Sequence, residues 1–118
     1  ESRLPTLLAG AVNDGCALLH GDLWSGNVYP GSDGGPVLVD PAVYRGHSEV
    51  DLAMTELFGG FPTAFHTAYK KRRPLTDGYE DGRRHLYQLY PLLVHVNLFG
   101  GAYVNGTEAT LRRALRLG

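Results

Sequence analysis

A short stretch of the chain, residues 20–40, contains polar side chains of the types that work in phosphoryl transfer. It begins with His20, places an acid at Asp22 and an amide at Asn27, and ends at a second acid, Asp40. Carboxylate and amide oxygens suit a hard cation such as Mg²⁺. Phosphoryl transfer needs such a metal to neutralise charge on the phosphates, and it needs a free carboxylate that orients the attacking hydroxyl and accepts its proton. The spacing therefore predicts Asp22 as the base and Asn27 with Asp40 as the metal ligands.

A predicted β-hairpin supplies the geometry for these residues. Two short β-type runs, 28–29 and 37–39, flank a segment that is dense in turn residues, with Asp33-Gly34 at its middle. A two-residue turn at Asp33-Gly34 would set Asn27 directly opposite Asp40 at the open end of the hairpin. Opposite residues on one face have Cβ atoms about 4.5–5.5 Å apart, close enough to share a cation.

The other elements are predicted to be mostly helical. Residues 17–19 form a short run that we expect to be buried, and Pro91 is expected to bend or divide the helix that contains it. Apolar spacing and end signals predict helices over 3–12, 49–58, 63–73, 80–99 and 108–117, the last capped by Thr107. The layout is an α+β fold with one helix, a small hairpin and then four helices.

Composition excludes several classes of function. The 118 residues carry 11 basic and 12 acidic side chains, a formal net charge of -1, which argues against a nucleic-acid partner. No uninterrupted apolar run approaches the length of a membrane span, so no membrane partner is expected. The single cysteine, Cys16, is expected to be a small buried hydrophobe in a cytoplasmic protein. Because the only methionine is Met54, we expect the chain to be part of a longer protein.

The motifs resemble a known family. The pattern His-x-Asp-x-x-x-x-Asn followed by an Asp is similar to the catalytic loop of the protein-kinase-like superfamily, and the Gly after the His is similar to the aminoglycoside-phosphotransferase branch. The fuller set of strings resembles the fructosamine (ketosamine) kinase family: HGDLWSGN at 20–27, DPA at 40–42, GHSEVDLAM at 46–54, GFP at 60–62, LYQLY at 86–90 and FGGAY at 99–103. The resemblance implies an enzyme that uses ATP and Mg²⁺ to phosphorylate a sugar hydroxyl of ketoamines, typically the 3-hydroxyl of fructosamines, in the repair of glycated amines or proteins.

The resemblance also implies roles for individual residues. Asp22 matches the family's catalytic base, and Asn27 and Asp40 match its metal ligands. Trp24 matches a position near the sugar site, although a lone Trp is as often simply a packing residue.

Two further matches concern the support of the loop. His20 matches the residue that shapes the catalytic loop, and Asp51 matches a helix-borne Asp that braces the loop through its backbone. The family's Gly-rich phosphate loop, nucleotide-anchoring Lys and partner Glu have no counterpart in residues 1–15. The resemblance therefore implies that residues 1–118 are the mostly helical C-terminal lobe of a kinase-like fold, with the N-terminal lobe absent, and that this chain alone is inactive.

Two other classes of function stay open from the sequence. One is a catalytically silent kinase-like binding module. The other is a metal-dependent hydrolase that uses His20, Asp22, Asp40 and His47, although His47 and Glu49 are more simply solvated residues at a helix start. The oligomeric state and the amine that carries the sugar are also open.

Overall fold

The computed structural model describes residues 3–117 and has an α+β fold with two small antiparallel sheets. The chain forms two compact units. One unit consists of residues 16–75 and the other of the described parts of 1–15 and 76–118. None of the helices described between residues 3 and 117 has the length and apolar character of a membrane span.

The unit formed by residues 16–75 contains all four described strands. They are β1 (Ala17–Leu19), β2 (Val28–Pro30), β3 (Pro36–Leu38) and β4 (Tyr44–Gly46). β1 pairs with β4 and β2 pairs with β3, both antiparallel. The sequence does not predict β4, because three residues ending in Gly carry no strand periodicity. The expectation that the whole 17–19 run is buried is wrong. Leu19 is buried, but Leu18 is 71% exposed, because successive side chains of a strand point to opposite faces of the sheet.

The predicted register of the hairpin is wrong by one residue. Tyr29 pairs with Val37, and the ladder places Val39, rather than Asp40, across from Asn27, whose carbonyl accepts a hydrogen bond from the Val39 N–H at 3.0 Å. The strands are joined by a five-residue loop, 31–35, in place of the two-residue turn.

Hydrogen bonds inside that loop explain the shift. The Gly31 N–H donates to the Gly35 carbonyl at 2.6 Å, and the Asp33 carboxylate accepts from the Gly35 N–H at 2.9 Å. An Asp side chain that bonds the backbone two residues later competes with the tight turn.

Two helices complete this unit close to the predicted positions. α2 spans Glu49–Leu57 and α3 spans Thr63–Arg72. α2 buries Leu52 and Ala53 in the core. The expectation that Glu49 is solvated is wrong, because Glu49 is 2% exposed and its carboxylate lies 3.7 Å from Nδ1 of His47.

The second unit is helical. It contains α1 (Leu4–Leu8), a 3₁₀ turn (Ala9–Ala11), a π-helical turn (Tyr79–Arg83), α4 (Arg84–Phe99), a 3₁₀ turn (Gly101–Tyr103) and α5 (Val104–Leu117). Leu7, Tyr79, Leu92 and Ala114 are its buried apolar residues among those described. α4 continues through Pro91 as one helix and is not divided there.

Two smaller sequence predictions are also wrong. Thr107 does not cap the last helix, since α5 begins at Val104 and the Thr107 hydroxyl donates to the Tyr103 carbonyl one turn back, at 2.8 Å. Cys16 is exposed rather than buried, because it precedes β1 instead of lying in the core.

Candidate active site

The loop between β1 and β2 is anchored to α2 at its first two residues. The Asp51 carboxylate, on the first turn of α2, accepts the His20 N–H through Oδ2 at 2.7 Å and the Gly21 N–H through Oδ1 at 3.0 Å. Gly21 has a φ of 87°, a conformation that glycine adopts readily. A Cβ there would also lie 2.0 Å from the Ala42 carbonyl oxygen, so a residue with a side chain does not fit at this position without a shift of the backbone.

The His20 ring ties the loop to the end of the hairpin. Its Nδ1 accepts the Asp22 N–H at 3.2 Å, and its Nε2 lies 2.8 Å from the Val39 carbonyl. Because an amide N–H can only donate and a carbonyl can only accept, these contacts assign the ring proton to Nε2. Both ring nitrogens therefore make hydrogen bonds within this part of the structure.

Asp22 and Asn27 contact each other directly. The Asn27 side-chain N–H₂ group donates to the Asp22 carbonyl at 2.9 Å and to its carboxylate Oδ2 at 3.2 Å. Asn27 lies on a 3₁₀ turn, Ser25–Asn27, and is only 6% exposed. This arrangement leaves Asp22 Oδ1 and the Asn27 amide oxygen without a hydrogen-bond partner among residues 3–117.

Asp40 lies just beyond the hairpin, and the structure does not join it to Asp22 or Asn27 by a hydrogen bond. Its φ of 48° is left-handed, a conformation that an Asp tolerates better than most residues and that turns the chain after Val39. Its side chain is exposed and makes no hydrogen bond or ion pair to the part of the chain that the structure describes. The cross-strand argument for pairing Asn27 with Asp40 therefore fails, and the metal-ligand roles of both residues stay predictions.

The donor set fits a hard divalent cation better than a transition metal. The amide oxygen of Asn27 is free, its nitrogen is held by Asp22, and the Asp40 carboxylate is unpaired, so both would offer oxygen. No group of three or more His, Cys, Asp or Glu side chains in residues 3–117 is placed to hold a metal ion. The ligand set proposed for a metal-dependent hydrolase, which includes His20 and His47, is thus not assembled.

Trp24 lies between Asp22 and Asn27 in the same loop. The residue is 40% exposed, and its ring meets Phe58 edge to face, with ring centroids 6.4 Å apart and an interplanar angle of 77°. Trp24 therefore contacts Phe58 and is also partly accessible to solvent.

Several residues that shape this site were missed by sequence reasoning. The Val39 carbonyl receives the His20 ring, Gly26 lies against Trp24, and the loop that follows α2 contributes Phe58 and Gly60. The two consecutive glycines after Phe58 were a visible signal, but in the sequence they indicate only that a helix ends.

The similarity of this chain to known proteins extends well beyond the loop between β1 and β2. Residues 3–117 match the fructosamine kinase family. The chain belongs to the fructosamine kinase family. It is 54% identical over 101 residues to a Synechocystis protein assigned as a ketoamine kinase, covering 86% of this chain and 34% of that one. It is 48% identical over 99 residues to the mouse ketosamine-3-kinase, covering 84% of this chain and 31% of the mouse protein.

Solved structures give the same family. A crystal structure of a Thermobifida fusca protein assigned as a fructosamine-3-kinase superposes with a TM-score of 0.83 at 46% identity, covering 98% of this chain and 39% of that one. The chain therefore spans about a third of the length of the curated relatives that it matches.

Proposed function

We propose that the full-length protein is an ATP- and Mg²⁺-dependent kinase that phosphorylates a sugar hydroxyl of ketosamines, typically the 3-hydroxyl of fructosamines. The observation that carries the proposal is the Asp22–Asn27 pair, in which one carboxylate oxygen is held and the other is free. Membership of a family whose relatives are named ketoamine, ketosamine and protein-ribulosamine kinases supports the choice of substrate.

In this proposal Asp22 is the general base. Its free Oδ1 orients the attacking sugar hydroxyl and accepts its proton, while Oδ2 stays hydrogen-bonded to the Asn27 amide. Asn27 and Asp40 would hold Mg²⁺, and the ion would supply the positive charge that phosphoryl transfer needs. The Asp51 and His20 contacts keep the loop backbone fixed, so that little reorganisation is needed during the reaction.

We further propose that this chain is the catalytic-loop lobe of a kinase-like fold. The nucleotide-anchoring residues would then lie in the part of the full-length protein that corresponds to the remaining two-thirds of the relatives' length. The isolated chain is then expected to bind ATP weakly and to turn over little ketoamine. A cytoplasmic location stays a prediction from cysteine usage, and one matching rice relative is designated chloroplastic.

The decisive experiment is Asp22→Asn in the full-length protein, assayed with ATP, Mg²⁺ and a synthetic fructosamine. Loss of a general base lowers kcat by about 10²–10⁴-fold, with a small change in the KM for fructosamine. The matched control is Asp33→Asn in the hairpin loop, because an Asn there still accepts the Gly35 N–H and should leave kcat unchanged.

The outcomes separate the candidate functions. Near-wild-type turnover of Asp22→Asn would refute the base assignment. Tight ATP binding by the wild type with no turnover of any glycated amine would favour a silent binding module instead.

A further inference from the structure

The ring of Trp24 packs against the backbone of Gly26. A Cβ at Gly26 would lie 2.2–2.5 Å from three carbons of the six-membered ring of the indole, so the ring lies directly against the Gly26 backbone. Real Cβ atoms do not approach other atoms so closely, and any larger residue at this position must displace the ring. Gly26 therefore sets where the indole can lie.

The segment that follows α2 holds the same loop from another side. Phe58 meets the Trp24 ring edge to face at 6.4 Å. Two residues later Gly60 has a φ of 92°, and a Cβ there would lie 2.5 Å from the Ser25 Cβ atom. The segment 58–60 thus contacts two consecutive residues of the loop, Trp24 and Ser25.

The exposed part of the Trp24 ring has the properties of a binding surface. Trp24 as a whole residue is 40% exposed although its ring contacts Gly26 and Phe58, and its indole N–H donates to no residue within 3–117. A flat apolar surface with one free donor suits the face of a sugar ring, whose C–H groups pack on the indole while a hydroxyl accepts the N–H.

We propose that Phe58 and Gly26 are positioning residues that hold Trp24 as a rigid platform for the sugar of the ketoamine substrate. This inference rests on the proposed function, since it assigns the sugar to a surface within that site. These residues act through Trp24 and touch no reacting atom.

α2 and the residue that follows it contact the loop between β1 and β2 at two separate places. Asp51, near the start of α2, fixes the backbone of His20 and Gly21, which lead into the base. Phe58, just beyond the last residue of α2, fixes Trp24. Asp51 and Phe58 are seven positions apart, which is a rise of about 10 Å along a helix, so each support can be weakened without removing the other.

The test uses the full-length protein with Phe58→Leu, Phe58→Tyr and Gly26→Ala, and Phe61→Leu as the control. Phe61 packs on Phe65 with centroids 4.9 Å apart and has no role in this platform. Loss of the edge-to-face contact should raise the KM for fructosamine about 3- to 10-fold, with the KM for ATP unchanged and kcat altered less than about 2-fold. Gly26→Ala should do the same, whereas Phe58→Tyr, which keeps the ring, and Phe61→Leu should stay close to wild type.

A second readout does not depend on catalysis. In protein labelled with 5-fluorotryptophan, the ¹⁹F resonance of Trp24 is identified by its loss in Trp24→Phe. Phe58→Leu and Gly26→Ala should shift or broaden this resonance, and Phe61→Leu should not.

The two readouts distinguish failure of this inference from failure of the proposed function. If the wild type does not phosphorylate ketoamines, the proposed function and the sugar assignment both fail. If the wild type is active but the resonance and the fructosamine KM stay unchanged in both Phe58→Leu and Gly26→Ala, the positioning role is refuted. A rise in both KM values together with a fall in kcat would mean general disruption and would also overturn it.

Discussion

The hydrogen bonds from the loop after β1 to Asp51 allow a quantitative prediction for Asp51→Ala. The substitution removes two charge-assisted hydrogen bonds, of 2.7 and 3.0 Å, and leaves the His20 and Gly21 N–H groups without their acceptors. Bonds to charged groups contribute about 1.5–3 kcal/mol each, which sets an upper limit of about 3–6 kcal/mol. Because the contacts are only partly buried and water can replace some of them, we expect a loss of about 2–4 kcal/mol in the free energy of unfolding.

Asp51→Asn should be milder than Asp51→Ala. An Asn keeps one acceptor oxygen but turns an N–H₂ group toward the other backbone N–H, so about half of the loss is expected. The matched control is Glu108→Ala on α5, whose ion pair with Arg112 is exposed and should contribute less than about 1 kcal/mol.

Two measurements check this prediction. Urea denaturation followed by circular dichroism gives the free energy of unfolding, and the m-value should be unchanged. Amide hydrogen exchange at His20 and Gly21 should accelerate in Asp51→Ala and not in the control. A destabilisation no larger than that of Glu108→Ala, with His20 and Gly21 still protected, would refute the assigned role of the brace.

Two further predictions concern the backbone of the loop and the core of the helical unit. Gly21→Ala should abolish activity of the full-length protein and lower its thermal midpoint, because its Cβ would lie 2.0 Å from the Ala42 carbonyl oxygen. The control is Gly34→Ala, which is also at positive φ but has open space around it, and it should lower the free energy of unfolding by only about 1–2 kcal/mol. Equal effects of the two would contradict the steric argument. Arg83→Met should lower the free energy of unfolding by about 3 kcal/mol or more, because Arg83 is fully buried and donates to several carbonyls that would lose their partner. Arg84→Met, which breaks only an exposed ion pair, should cost less than about 1 kcal/mol in the same urea titration, and a similar loss in both would count against the buried network.

Much of the fold could be predicted because its signals are local. α2 and α3 are found within one residue of the predicted ends, since apolar spacing, the Gly59-Gly60 stop and the basic last turn before Pro74 all lie within the segment itself. The first turn of α5 could not be predicted in this way, because Thr107 looks like a helix cap but lies inside the helix. A hydroxyl can cap a helix or bond back to the preceding turn, and sequence pattern does not distinguish the two.

The sequence by itself determined which side chains the site contains: an acid and an amide five residues apart, with a second acid after the hairpin. This follows because residue type and spacing are read directly from the chain, and the same motifs place it in the fructosamine kinase family. Only the tertiary structure decided the register that opposes Asn27 to Val39, the assignment of the His20 ring proton, and the contact of Phe58 with Trp24. Each of these depends on contacts between residues that are far apart in the sequence. Such contacts are set by packing rather than by local pattern, and a shift of one residue in a strand changes every neighbour.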